Sequence, residues 1–229
     1  VALFLGPLLG VPWAVVGYAV VRTAARLPEQ PSRVRLGTER QETMRATSVL
    51  RFVLFGAVGF GIGGATGSLG VFYMPGVGLL LGPLIGGAVG GASLGLALMD
   101  FRRVLILALL GALGLAVGIM AGLIIGSRFF YFSSDLPITM TVGAVVGASL
   151  GVAFKDWRAI LVLVVAGAVG FSVGNLPADF IRFSIPILRQ LGETGSIAIT
   201  GTIGGASLGA ALGYLENRRL TEERRPRVR

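Results

Sequence analysis

The stretch Gly90-Gly91-Ala92-Ser93-Leu94-Gly95 decides how this sequence folds, because it lies in a long charge-free region and returns twice further along the chain. Its later copies are Val146-Gly147-Ala148-Ser149-Leu150-Gly151 and Gly204-Gly205-Ala206-Ser207-Leu208-Gly209. A second motif alternates with it, as Gly56-Ala57-Val58-Gly59, Gly111-Ala112-Leu113-Gly114 and Gly167-Ala168-Val169-Gly170. Successive copies of each motif are 55 to 58 residues apart. Such regular spacing is typical of tandem structural repeats.

The composition is that of a membrane protein. Hydrophobic residues make up 54% of the chain and charged residues only 14%, against about a quarter charged in soluble domains. The mean hydropathy is +0.83. The chain has no cysteine and no histidine, which excludes disulfides, thiolate chemistry and imidazole ligation of metal or haem. We therefore expect no enzyme, no catalytic residue, no cofactor and no bound metal.

The charge-free segments predict an all-α integral membrane protein with about seven transmembrane helices. A helix needs roughly 20 apolar residues to cross the hydrocarbon layer, and the region between Arg51 and Asp100 is long enough for two helices. We expect one extra N-terminal helix followed by three tandem, parallel hairpin repeats with glycine-zipper packing. The predicted parts are a first transmembrane helix at 1–21, a basic cytoplasmic loop at 22–50, hairpin repeats at 51–100, 103–155 and 158–215, an outer interfacial segment at 177–193 within the third repeat, and a basic cytoplasmic tail at 216–229.

Arginine placement predicts the orientation. Basic residues gather between the first two spans, in the turns at 100–103 and 155–158, and in the tail. The positive-inside rule then places the N-terminus outside and the C-terminus in the cytoplasm of a prokaryotic plasma (inner) membrane. We expect arginines at these positions to bind anionic lipids: Arg22, Arg26, Arg102, Arg103, Arg158, Arg218 and Arg219. We expect short polar side chains to cap the helices that follow them: Asp100, Asp156 and either Thr47 or Ser48.

Glycines spaced three or four residues apart predict smooth helix faces, since small residues let helix backbones approach closely in lipid. The span at 78–97 has two such faces, so we expect it to contact two neighbours near the centre of the bundle. Nineteen glycines form the predicted packing faces: Gly56, Gly59, Gly63, Gly87, Gly91, Gly95, Gly111, Gly114, Gly118, Gly143, Gly147, Gly151, Gly167, Gly170, Gly174, Gly201, Gly205, Gly209 and Gly213. Three serines recur in the motif: Ser93, Ser149 and Ser207. We expect each hydroxyl to bond either to a carbonyl of its own helix or across to another helix. The alternative interpretation is a polar ring around a pseudo-threefold axis.

No ionisable residue lies within a predicted span away from its ends, which disfavours proton relays and ion-coupled transport. The arginines cluster at the ends of apolar runs, which indicates membrane topology and anionic lipid and not nucleic acid. No nucleotide-binding loop is present in the sequence. The sequence favours a non-catalytic polytopic subunit that scaffolds or stabilises a larger membrane assembly, with lipid and other membrane proteins as partners. Two alternatives stay open, a passive small-solute or ion channel along the repeat axis and a lipid-handling protein with grooves between its hairpins.

Overall fold

The computed structural model describes residues 35–73, 76–128, 135–184 and 192–223, and these residues are almost entirely helical. The predicted first transmembrane helix, at 1–21, lies outside the described residues. The described helices are α1 (Arg35–Tyr73), α2 (Gly78–Ala97), α3 (Phe101–Arg128), α4 (Leu136–Val152), α5 (Trp157–Ser184) and α6 (Gly192–Glu223).

Five of these helices are long and apolar enough to cross a bilayer. The spans are Ser48–Val71, Gly78–Ala97, Phe101–Ser127, Trp157–Pro177 and Thr194–Arg219. Helix α4 has 17 residues, which at about 1.5 Å per residue is shorter than the roughly 30 Å hydrocarbon layer. By helix length and hydropathy the chain is a multi-pass membrane protein, which confirms the predicted class in this coarser form.

The described helices close into a ring. Each helix packs against the helices before and after it in the sequence, and α6 packs against α1. Consecutive helices run in opposite directions because short connections join them, so α1–α2, α3–α4 and α5–α6 are three antiparallel pairs. The turns at Met99-Asp100 and Lys155-Asp156 lie at the same end of the ring, which we call the basic end.

Helix α1 begins well before its membrane span. The sequence predicted a basic segment at 22–50, with either a short helix or a solvated loop at 28–47, and a helix cap at Thr47 or Ser48. In the structure, residues 35–50 are helical and continue into the span without a break. The expected cap is therefore wrong. The physical reason is local composition, because residues 38–50 contain neither proline nor glycine and are rich in Glu, Gln, Arg, Met and Ala, which favour helix.

The two turns at the basic end share one geometry. Met99 and Lys155 have φ angles of 54° and 52°, so each reverses the chain just after a helix ends. The next residue caps the following helix, since Asp100 Oδ1 accepts the Arg102 N–H and Asp156 Oδ1 accepts the Arg158 N–H, both at 3.0 Å. The predicted aspartate caps are confirmed.

Helix α2 contacts two neighbours, α1 and α3, as the sequence predicted. We expected α2 near the centre of the bundle, but α6 is the more enclosed helix, because 78% of its span is buried against 44% of the α2 span. The outer side of α2 carries bulky exposed residues such as Leu80 and Ile85. In α6, residues on several sides of the helix are buried, including Thr200, Thr202 and Leu208.

Helix α5 continues past the predicted end of its span. Residues 177–184 of the predicted outer interfacial segment belong to this helix, which contains Pro177. Residues 185–191 lie outside the described part of the chain.

Candidate functional site

The centre of the ring is filled by apolar side chains. One buried cluster takes members from all six described helices: Phe52, Phe60, Leu94, Ala97, Leu107, Val142, Val146, Leu150, Leu163, Phe171, Leu208, Ala211 and Leu212. Within it, the rings of Phe60 and Phe171 meet edge to face, with 6.1 Å between centroids and 89° between planes. Leu94, Leu150 and Leu208 are completely buried. The interior is thus a packed core of aromatic and aliphatic groups.

All nineteen glycines of the predicted packing faces lie where two helices meet. A Cβ added at any of them would come within 3.2 Å of an atom of the adjacent helix. Backbone meets backbone at Gly87 and Gly111, at Gly143 and Gly167, and at Gly56 and Gly205, where the obstructing atom is a carbonyl oxygen. Any side chain at these positions would separate the helices, because a backbone carbonyl cannot rotate away as a flexible side chain can.

The three serines of the predicted polar ring lie between the two helices of their own pairs. Their side chains are beside Gly59, Gly114 and Gly170, respectively. Ser93 Oγ donates to Gly90 O at 2.7 Å and Ser149 Oγ donates to Val146 O at 2.8 Å, each within one helix. Ser207 Oγ donates to Ala166 O of α5 at 2.8 Å. The structure therefore uses each hydroxyl within its own helix pair, and the ring around the axis stays a prediction.

An ion-pair cluster lies at the basic end. Arg103 Nε is 3.4 Å from Asp100 Oδ2, and Arg103 Nη1 is 3.7 Å from Glu216 Oε1. The second contact joins α3 to α6, which lie opposite each other in the ring. Both partners of Arg103 are carboxylates, so its guanidinium is held in place across the mouth of the ring.

Arg51 caps the C-terminal end of α2. Its Nη2 donates to the carbonyl oxygen of Ala97, the last residue of that helix, and its guanidinium lies 6.0 Å from the ring centroid of Phe52. A cation at a helix C-terminus is stabilised by the negative end of the helix dipole. Sequence reasoning missed the roles of Arg51 and Glu216, although both are the first charges that border a long apolar run.

A cavity of about 200 Å³ lies beside the ion-pair cluster. Its apolar lining includes Leu98, Ile106 and Phe154, and three cations lie around it, Arg103, Lys155 and Arg219. The residues come from α3, from α6 and from the two turns at the basic end. A cavity lined by both apolar side chains and cations has the chemistry to hold an amphipathic anion.

The predicted lipid-contact arginines divide into three groups. Arg22 and Arg26 lie outside the described residues. Arg102, Arg158 and Arg218 are exposed, with the Arg158 guanidinium 5.9 Å from the ring centroid of the neighbouring Trp157. The remaining two, Arg103 and Arg219, line the cavity. Lys155 was not among the predicted residues, because only the folded turn brings it to the same place.

Among the described residues, no group of three or more Asp, Glu, Cys or His side chains is arranged to hold a metal ion. Comparison of the chain with protein-family models, with curated proteins and with solved structures gives no match.

Proposed function

We propose that this protein is a non-catalytic polytopic subunit that scaffolds or stabilises a larger membrane protein assembly. The observation that supports this function is the packed apolar centre, to which all six described helices contribute. A core of this kind makes the ring a rigid body, and in this proposal its outer surface binds the other subunits. That surface is broad and apolar on α3, where Leu109, Leu113 and Ile124 are exposed.

The same proposal includes three tandem hairpin repeats with glycine-zipper packing, α1–α2, α3–α4 and α5–α6. Supporting contacts recur at matching sequence positions. Gly91 of α2 meets Leu107 of α3, and Gly147 of α4 meets Leu163 of α5. The Met99 and Lys155 turns match in the same way, in their positive φ angles and in the aspartates that follow them.

The sizes of core residues vary in a compensating way between the proposed repeats. A Cβ at Gly90 would lie 2.7 Å from ring atoms of Phe60, and one at Gly204 would overlap the ring of Phe171. The matching positions of the middle hairpin hold the smaller Leu115 and the larger Val146, both of which pack in the central cluster. A bulky group in one helix is thus matched by a small one in its partner, which keeps the core volume near constant.

We also propose that the basic end faces the cytoplasm of a prokaryotic inner membrane and that the N-terminus lies outside. This orientation is supported by Arg51, Arg102, Arg103, Arg158 and Lys155, which all lie at or beside that end of the ring. Single cysteines at Met99 and at Gly76, in connections at opposite ends of the ring, would test it. A membrane-impermeant thiol reagent should label the Gly76 site in intact cells and the Met99 site only after lysis, and the reverse pattern would refute the orientation.

Site-specific photo-crosslinking in the native membrane tests the scaffold role. A photoreactive residue at Leu109, which is 66% exposed on α3, should give a discrete adduct with a second protein if that face binds a subunit. Matched positions on the other outer faces are Leu80 and Val165, and the buried control is Leu107. The proposal is refuted if no exposed position gives a protein adduct and the chain migrates alone in mild detergent.

The packed centre gives the channel alternative less support than the scaffold. If the chain forms a channel along the axis, liposomes that contain the purified chain should show solute flux. Flux that falls when Ser149 is replaced by a bulky residue would favour the channel over the scaffold.

A further inference from the structure

We propose that the cavity at the basic end binds the headgroup of one anionic phospholipid, with its phosphodiester near Lys155 and an acyl chain along Ile106. This goes beyond a general attraction between arginines and the bilayer, because it assigns one lipid to one place. It is also independent of the scaffold role, since a specific lipid can bind whether or not a protein partner does.

The charges around the cavity match a phosphodiester. Arg103, Lys155 and Arg219 line it, and Arg103 pairs with two carboxylates, Asp100 and Glu216. Lys155 adds a positive charge beside this ion-pair cluster, and a phosphodiester of charge −1 would neutralise it. Lys155 takes part in no ion pair among the described residues, so its ammonium is the donor best placed to bind a phosphate oxygen.

The shape of the cavity favours a lipid over a small soluble anion. Leu98 and Phe154 are partly buried against the central core and give the cavity an apolar part to its lining. Ile106 also lines the cavity, yet it is 39% exposed at the outer surface of α3. An acyl chain can therefore leave the cavity over Ile106 towards the surrounding lipid.

The volume is sufficient for the part of the lipid that would enter. About 200 Å³ greatly exceeds the roughly 10–15 Å³ that one water molecule needs, so a phosphate group and part of its glycerol fit. The rest of the headgroup would lie outside the cavity, and the acyl chains would pass Ile106 into the bilayer.

The first test measures binding of phosphatidylglycerol to the full-length chain in detergent by native mass spectrometry. One molecule should bind per chain, with phosphatidylcholine binding about tenfold more weakly. The variant Lys155→Gly should weaken binding about fivefold, the factor expected for one cation near a phosphate. Because glycine accepts the positive φ of this position, the variant should fold at least as well as the parent chain.

The control for Lys155→Gly is Met99→Gly, which changes the matching turn and removes no charge. It should leave phosphatidylglycerol affinity unchanged. Equal affinities for the two variants would overturn the assignment of the phosphate to Lys155.

The second test blocks the acyl path and separates lipid from free phosphate. Ile106→Trp should lower phosphatidylglycerol binding, whereas Leu109→Trp, on the same helix and exposed but outside the cavity, should not. Glycerol phosphate should bind far more weakly than the lipid. If glycerol phosphate binds equally well, or if both tryptophan variants behave alike, the proposed lipid is wrong.

Discussion

Replacing Gly90 by valine should destabilise the protein, and shortening Phe60 to leucine should rescue it. A Cβ at Gly90 would lie 2.7 Å from three atoms of the Phe60 ring, well inside the optimum of about 3.5–4.0 Å for carbon contacts. The ring would have to move by about 1 Å, and it is already in edge contact with Phe171. Overpacking of this kind costs about 1–3 kcal/mol.

Phe60→Leu alone should also destabilise, by about 1–2 kcal/mol. It loses the aromatic pair with Phe171, which contributes about 0.5–1.5 kcal/mol, together with dispersion contacts of the lost ring atoms. The double variant reproduces the residue sizes of Leu115 and Val146 in the middle hairpin, so the leucine leaves room for the valine. We expect it to be more stable than the sum of the single effects predicts, by about 1–2 kcal/mol, within the range for residues in contact.

The assay is reversible unfolding of the full chain in mixed micelles, with the free energy of unfolding measured for the parent, both single variants and the double variant. The matched control pairs Phe60→Leu with Gly122→Val, because a Cβ at Gly122 would meet Ile138 and Val142 and not Phe60. That pair should be additive. If Gly90→Val and Phe60→Leu also add to within about 0.5 kcal/mol, the volume compensation across this contact is refuted.

Three further changes test the local structure by the same unfolding assay. Asp156→Ala should cost about 0.5–2 kcal/mol through loss of the α5 cap, while Asp156→Asn should retain most of the stability; equal losses would contradict a capping role. Met99→Gly should stabilise by about 1 kcal/mol, because a non-glycine residue at positive φ is strained, and a loss of stability would refute that strain. Ser207→Ala should lower the free energy of unfolding by about 0.6–1 kcal/mol, since its hydroxyl bonds to another helix. Ser149→Ala loses only a bond within its own helix and should be nearly neutral. Equal losses of stability in the two variants would contradict this difference.

Much of the fold could be predicted from the sequence because bilayer physics leaves few choices. Apolar runs of sufficient length must become helices, since backbone polar groups have no other partners in lipid. The caps at Asp100 and Asp156 could also be predicted, because capping depends only on a short polar side chain next to the start of a helix. The sequence left a short helix or a loop open before the span of α1. It did not predict that this helix continues into the span, because Thr47 and Ser48 were interpreted as a cap.

The cavity could not be predicted in the same way. Arg103 and Arg219 were expected near lipid for their charge alone, whereas Lys155 lines the same cavity only because the turn between α4 and α5 folds there. The cross-ring pair of Arg103 with Glu216 connects residues more than a hundred positions apart. Nothing in either local sequence indicates the other partner.

By itself, the sequence determined the helices, their caps at the two basic turns and the glycines on which neighbouring helices meet, since these follow from local composition and spacing. Only the tertiary structure decided how the ring closes. Gly87 meets Gly111 and Gly143 meets Gly167, yet Gly56 meets Gly205 and not Gly201, the position that matches Gly87 and Gly143. The closing contact is thus shifted by one helical turn. Local sequence spacing places glycines on a helix face, but which glycine meets a distant helix depends on how the two helices pack.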